Sequence, residues 1–308
     1  MSLFRSSLLA GAALVAIAGS AQAFTITQIF DASNTNAATN TLIPALLAPG
    51  SGITVVGGTP ALQGNIAGPT NSQTGTYTGF NLAPSSGSTP TLTLPDGIVL
   101  TSGFANFPLT NTTNSYSQLP NSGSNALLSA LSGSVGGSTT TADANALSFS
   151  FTVAPGQNAV TAQFVFGTDE FPTQSVTDIF GFFVDGVNYA RFPGGELISN
   201  TPGNPTNFIS NPVGDGLYGI EYNGLTQTFT VVGLLDDQLT EHTITIAVAD
   251  TSDDIFDSGV FIGGLRATQV GVNDGGGITP IATPEPATMA LLGTGLLGIG
   301  MLRRRRRG

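Results

Sequence analysis

The sequence predicts an all-β fold, a jelly-roll-like β-sandwich, on three observations.

 Strand-length runs from Ala142 onward alternate apolar and polar residues with period two. Gly (41) and Pro (18), with many Ser, Thr and Asn, punctuate those runs as turn formers. Hydrophobic residues make up 40% of the chain and charged residues only 9%, so it can bury a core and is no disordered polyampholyte. Without an export signal and a tail, roughly 260 residues remain, room for one large β domain or two smaller ones.

The elements follow in chain order. Residues 1–23 read as a secretory signal peptide. Arg5 supplies the positive region, Leu8 to Ala18 the apolar stretch, and Ala21-Gln22-Ala23 a small-x-small cleavage site, with cleavage before Phe24. Residues 24–270 form the predicted sandwich domain. Within it, Asn40 to Leu47 suits a short helix, and Ile53 to Val56 and Gly97 to Thr101 suit strands. Asn65 to Ser88 is turn-rich, and a long loop or weak strands are expected there.

The pattern sharpens after Ala142. Leu147, Phe149, Phe151 and Val153 alternate with Ser148, Ser150 and Thr152, a strand with one buried face. Pro155 to Asn158 is a turn, and Val160, Ala162, Phe164 and Phe166 alternate again, so a hairpin is expected. Ile179 to Val184 is apolar on both faces, as in a central strand, and Asp185-Gly186 reads as a turn. Phe229 with Val231, then Ile244, Ile246 and Val248, then Val260 with Ile262, supply further runs. Residues 271–283 form a Gly-rich linker.

The C-terminal part, 284–308, has three pieces. Pro284-Glu285-Pro286 cannot continue a helix or a central strand. Residues 287–302 are apolar and uncharged, a transmembrane helix of roughly 24 Å, short for a bilayer. Arg303 to Arg307 then stop translocation and sit in the cytoplasm.

Composition excludes several kinds of chemistry. Cysteine and lysine are absent, so disulfides, zinc thiolates, a cysteine nucleophile and a phosphate-loop lysine are excluded. One histidine, His242, stands beside Glu241 at a strand start, where a surface position is expected. No Gly-x-Ser-x-Gly elbow accompanies it. Paired carboxylates can hydrolyse glycosides, but there is no tryptophan to stack sugar rings. Between the signal and the Pro-Glu-Pro turn, 18 acidic residues face 2 arginines, a net charge of −16. Such a body repels nucleic acid and suits cations.

Two resemblances follow from these residues. Pro284-Glu285-Pro286-Ala287-Thr288-Met289-Ala290-Leu291-Leu292-Gly293, the Gly/Leu helix and the arginine tail resemble the PEP-CTERM sorting signal of Gram-negative bacteria. That resemblance implies a membrane anchor, held temporarily and processed by an exosortase. Phe164 to Pro172, Asp178 to Phe183, Ile246 to Asp250 and Asp257 to Phe261, with Leu42 to Thr54 and Leu94 to Gly103, resemble the choice-of-anchor L domain over residues 36–268. Thr168-Asp169-Glu170-Phe171 stands where members often show Ser-Glu-Glu-Tyr, which keeps both carboxylates and removes a phenol.

Two acidic groups are candidates for a site. Asp169 and Glu170 directly follow a strand, with Asp178 close in sequence. Asp250, Asp253, Asp254 and Asp257 occupy the connection between two strands. If the parent strands are neighbours, both groups open at one end of the sandwich, and clustered carboxylates call for a neutralising cation. Calcium suits such oxygen-rich loops, with Asp169, Glu170, Asp178, Asp250 and Asp257 as its expected ligands. A hydrogen-bonded network and plainly solvated acids are the alternatives. Asp185 is seven residues from Asp178, roughly 23 Å along an extended strand, and is left out.

The functional expectation is an exported, non-catalytic surface or matrix protein acting in adhesion, biofilm or exopolysaccharide association. Its partners are the Sec machinery, an exosortase and extracellular polysaccharide. It is expected in the inner membrane before processing and at the cell surface, envelope or exterior afterwards. A calcium-dependent carbohydrate-binding module is the alternative, and a glycoside hydrolase the third reading.

Overall fold

The computed structural model describes residues 24–281, apart from 69, 86–88, 107, 136, 173–177, 200–204, 215–216 and 272–273. The signal peptide, the Pro-Glu-Pro motif and the apolar stretch 287–302 lie outside the described residues. No helix among those described is long and apolar enough to cross a membrane.

Eight strands carry the architecture: β1 (Gly97–Thr101), β2 (Thr141–Val153), β3 (Ala159–Thr168), β4 (Ile179–Val184), β5 (Phe229–Leu234), β6 (His242–Thr251), β7 (Ser258–Thr268) and β8 (Gly277–Pro280). They divide between two antiparallel sheets. The first runs Thr25–Gln28, Thr74–Thr78, β1, β7, β3, Gly224–Leu225, Ile209–Ser210, with β5 and β8 added beyond β3. The second runs Val187–Asn188, β4, β6, β2, Ile53–Val55, with Ile198–Ser199 and Ala61–Gln63 on its flanks.

The core lies between the sheets because the inward faces are the apolar phase of each alternating run. Phe149 and Phe151 of β2, Phe180 and Phe182 of β4, and Ile244, Ile246 and Val248 of β6 meet Phe164 and Phe166 of β3, Val231 of β5, and Val260 and Ile262 of β7. Both outer faces are covered as well. Phe24, Tyr77, Phe80, Val99, Val165, Tyr222 and Phe261 pack outside the first sheet. A helix, α1 (Ala126–Ser134), lays Leu128 against Ile179, Phe183, Ala247 and Ala249 outside the second. The Asn125 side chain caps α1 by accepting from the backbone N–H of Leu127 and Leu128. This cover explains why β4 is apolar on both faces and buried throughout.

Three expectations change, and in a fourth case, residues 65–88, expected as a long loop or weak strands, the strands are found. β2 and β3 form no hairpin: β2 pairs with β6, and β3 with β7 and β5, in opposite sheets. Both strands carry large inward phenylalanines, and facing each other across the core buries these better than lying side by side. The turn-rich stretch before residue 88 contains the strand Thr74–Thr78, paired with β1 and with Tyr77 buried. The Gly-rich segment includes β8, which pairs with β5 through Val231–Ile278, and Ile281 N–H donates to Thr228 O. His242 is buried rather than on the surface, with its Nδ1 2.8 Å from Asp185 Oδ2.

The turn after β4 follows the sequence reading. Asp185 (φ 49°) and Gly186 (φ 81°) both take left-handed backbone, the two-residue hairpin turn that Asp-Gly favours. Asp185 Oδ1 accepts from Thr243 N–H at 2.8 Å, and Oδ2 from Asp236 N–H at 3.1 Å. Asp185 thus anchors the end of β4 away from Asp178.

Candidate functional site

The acidic residues singled out from the sequence do collect at one end of the sandwich, because β3 and β7 are neighbours. Thr168 pairs with Ser258, and Asp169 N–H donates to Asp257 O at 3.1 Å. Ile179 pairs with Ala249, so Asp178 and Asp250 stand opposite each other one step further along β4 and β6. Asp169, Glu170, Asp178, Asp250 and Asp257 are all at most 3% exposed. These five are therefore not solvated acids, whereas in the same connection Asp254 is exposed and Asp253 half-buried.

The strand period of two splits four of the five into two sets, Glu170 lying beyond the end of β3. Asp178 continues the inward phase of Phe180 and Phe182. Asp250 continues that of Ile246 and Val248 past a bulge, and Ser258 that of Val260 and Ile262. Asp257 and Asp169 continue the opposite phase, that of Phe261 and Val165, toward the outer cover. Among the described residues, no three acidic or imidazole side chains come together as metal ligands. The five do not form one ligand sphere.

The outer set holds a strap, the non-regular segment 110–118. Asp169 Oδ1 accepts from Asn223 N–H at 3.0 Å, and its Oδ2 accepts from Tyr116 N–H. Asp257 Oδ1 accepts from Gln118 N–H at 3.0 Å, and its own N–H donates to Tyr116 O at 3.1 Å. Glu221 joins them. Its carboxylate accepts from Thr110 Oγ1 (2.6 Å), Thr112 Oγ1 (2.7 Å), Thr112 N–H (2.9 Å) and Thr113 N–H (2.9 Å). Glycines make room for this arrangement. A Cβ on Gly103 would fall 1.7 Å from Asp257 Oδ2, and Gly259 lies beneath the Tyr222 hydroxyl, 2.3 Å from where its Cβ would be.

Electrostatics differ from residue to residue. Burial raises Asp169 to about 7 against its two amide donors, with the Glu221 charge adding a little. Burial raises Asp257 to about 8, opposed by the Gln118 N–H and assisted by Asp169 and Asp143. Burial raises Glu170 to about 8, helped by Asp253 and Asp169. Burial also works to raise Glu221, but the Thr110, Thr112 and Thr113 donors outweigh it and hold the group below its ordinary value.

The inner pair has no such donors. Burial, then the charges of Asp250 and Glu170, drive Asp178 far above the carboxylate range. Asp250 rises for the same first reason, with Asp257 and Asp143 adding to it. The Ser258 and Ser102 hydroxyls lie near enough to ease the pair slightly. Among the described residues, all four carboxylate oxygens and Ser258 Oγ lack a hydrogen-bond partner. Lysine is absent from the chain, and among the described residues the one ion pair is that of His242 with Asp185.

Sequence reasoning missed Glu221, Asp143 and the strap. Asp143 is buried at the start of β2, where its Oδ1 accepts from Ser122 N–H at 3.0 Å. A lone Glu in the uncharged stretch 217–226 was the available signal for Glu221, and the threonines at 110, 112 and 113 were its complement. Away from this end, a half-open cleft of about 750 Å³ is lined by Leu47, Leu94, Pro95, Asp96, Gln163 and Arg266. It brings no pair of carboxylates together.

Comparison with protein families gives two matches. Residues 31–265 match the choice-of-anchor L domain, and residues 282–307 match the PEP-CTERM protein-sorting motif. No curated protein shows significant similarity to the chain.

Proposed function

The chain belongs to the choice-of-anchor L family and carries an exosortase sorting motif, and from that premise we propose a non-catalytic surface or matrix module that acts in adhesion, biofilm or exopolysaccharide association. Export and delivery to the surface or envelope follow from the sorting motif itself. In this reading the Sec machinery exports the chain. The apolar stretch 287–302 then holds the precursor in the inner membrane until an exosortase acts near Pro284-Glu285-Pro286.

The observation that carries the non-catalytic reading is the burial of the clustered acids. Asp169, Asp257 and Glu221 spend their oxygens on strap amides and hydroxyls, and Asp178 and Asp250 are sealed between sheets. Groups so placed hold structure together and do not reach a polysaccharide. The way β8 joins the domain edge supports a display role, because the ordered sandwich continues to within a few residues of the sorting motif.

The test is genetic. Deleting the chain from its host is expected to lower surface-retained polysaccharide and biofilm mass. Re-expression without residues 282–308 is expected to leave the defect in place, although the domain is still exported. Unchanged biofilm and polysaccharide retention after deletion would sink the proposal.

A further inference from the structure

We propose that Asp178 and Asp250 form a buried calcium site between the two sheets, completed by Ser258 Oγ and neutral oxygens. The inference goes beyond the adhesive role and does not depend on it.

Three observations carry it. Asp178 and Asp250 come from adjacent strands of the second sheet, one register step beyond the Ile179–Ala249 pair, and both have zero exposure. Ser258 opens β7 in the opposite sheet, on the inward phase, so donors from both sheets face one point. Five oxygens there, four carboxylate and one hydroxyl, have no hydrogen-bond partner among the described residues. Buried polar atoms are nearly always satisfied, and buried charges are paired or bound to metal.

A shared proton is the competing arrangement, and counting separates the two. One proton joins one oxygen of Asp178 to one of Asp250, and the Ser258 hydroxyl can donate to a third; the fourth carboxylate oxygen is left unsatisfied. A calcium ion accepts six to eight oxygens in irregular geometry and needs no three-carboxylate cluster if hydroxyls, carbonyls and water complete it. Two carboxylates also match its charge. Magnesium demands a stricter octahedron and parts with its waters reluctantly, so calcium is favoured.

The purified full-length chain serves for the test, at pH 8 with calcium chloride or with chelator. Calcium is expected to raise Tm by roughly 5–10 °C, and magnesium to raise it by much less. Equilibrium dialysis is expected to find one calcium per chain. Asp250→Asn keeps the shape and removes a charge, so it should fold in chelator and lose the calcium-dependent shift. Should that variant not fold, Ser258→Ala takes its place, with calcium affinity expected to fall several-fold. A wild-type chain with neither bound calcium nor a Tm response overturns the site in favour of the shared proton. A variant that keeps the full response also overturns it, because the ion would then lie elsewhere.

Discussion

The two sets of carboxylates at the same end of the sandwich have opposite fates. Asp169, Asp257 and Glu221 face outward and accept from the backbone amides of the strap. Asp178 and Asp250 face inward and meet each other. All are buried, so burial does not separate them; the supply of donors does. An outward carboxylate can recruit loop N–H groups, which are free to turn toward it. An inward one is surrounded by strands whose N–H groups are committed to the ladder.

The comparison can be sharpened by four measurements, from the largest expected effect to the smallest. The first is pH dependence in chelator. Asp169 has a folded-state value of about 7, above the ordinary carboxylate range, so the folded state binds its proton more tightly than the unfolded state. Its stabilising contribution is complete below about pH 4 and is lost as pH rises through 7, by roughly 4 kcal/mol. The groups facing it, Glu221, Glu170, Asp257, Tyr116 and Tyr222, bring no positive charge to reverse that sign. Glu221, held low, works the other way and withdraws stability only at the acid end. Urea unfolding at pH 5 and pH 8 checks this, and greater stability at pH 8 would contradict it.

Second, Asp169→Ala at pH 5 leaves the Tyr116 and Asn223 amides without their acceptor. A loss of about 2–4 kcal/mol is expected in urea unfolding. Third, Glu221→Gln replaces an acceptor by a group half of which donates, and the strap should loosen. Amide exchange at Thr112 and Thr113 reports a local loss of about 1–3 kcal/mol while β2 and β3 stay protected. Fourth, Asp178→Asn in chelator should change stability by less than about 1 kcal/mol, or raise it, because burial already keeps Asp178 protonated and the amide matches the neutral acid in shape. A loss as large as that of Asp169→Ala would erase the distinction between the two sets.

Much of the fold was legible along the chain. The runs at Leu147–Val153, Val160–Phe166 and Ile244–Val248 became strands with their apolar phase turned to the core, and Ile179–Val184 became a strand buried on both faces. Pairing was less legible. β2 and β3 are adjacent in sequence with a turn between them, yet belong to different sheets, and only the packing of their phenylalanines selects that outcome. His242 was similarly unreadable, since the acid that buries it, Asp185, lies 57 residues away.

The sequence by itself determined that acids stand at strand ends, with Asp169 and Glu170 closing one strand and Asp250 to Asp257 joining two others; that they gather at one end follows from the pairing of β3 with β7. It also determined the address, through the sorting motif in residues 282–307. Only the tertiary structure decided which acids share surroundings. Period-two alternation sends neighbouring carboxylates to opposite faces of a sheet, and which face holds donors depends on a strap and a partner sheet that are distant in the chain.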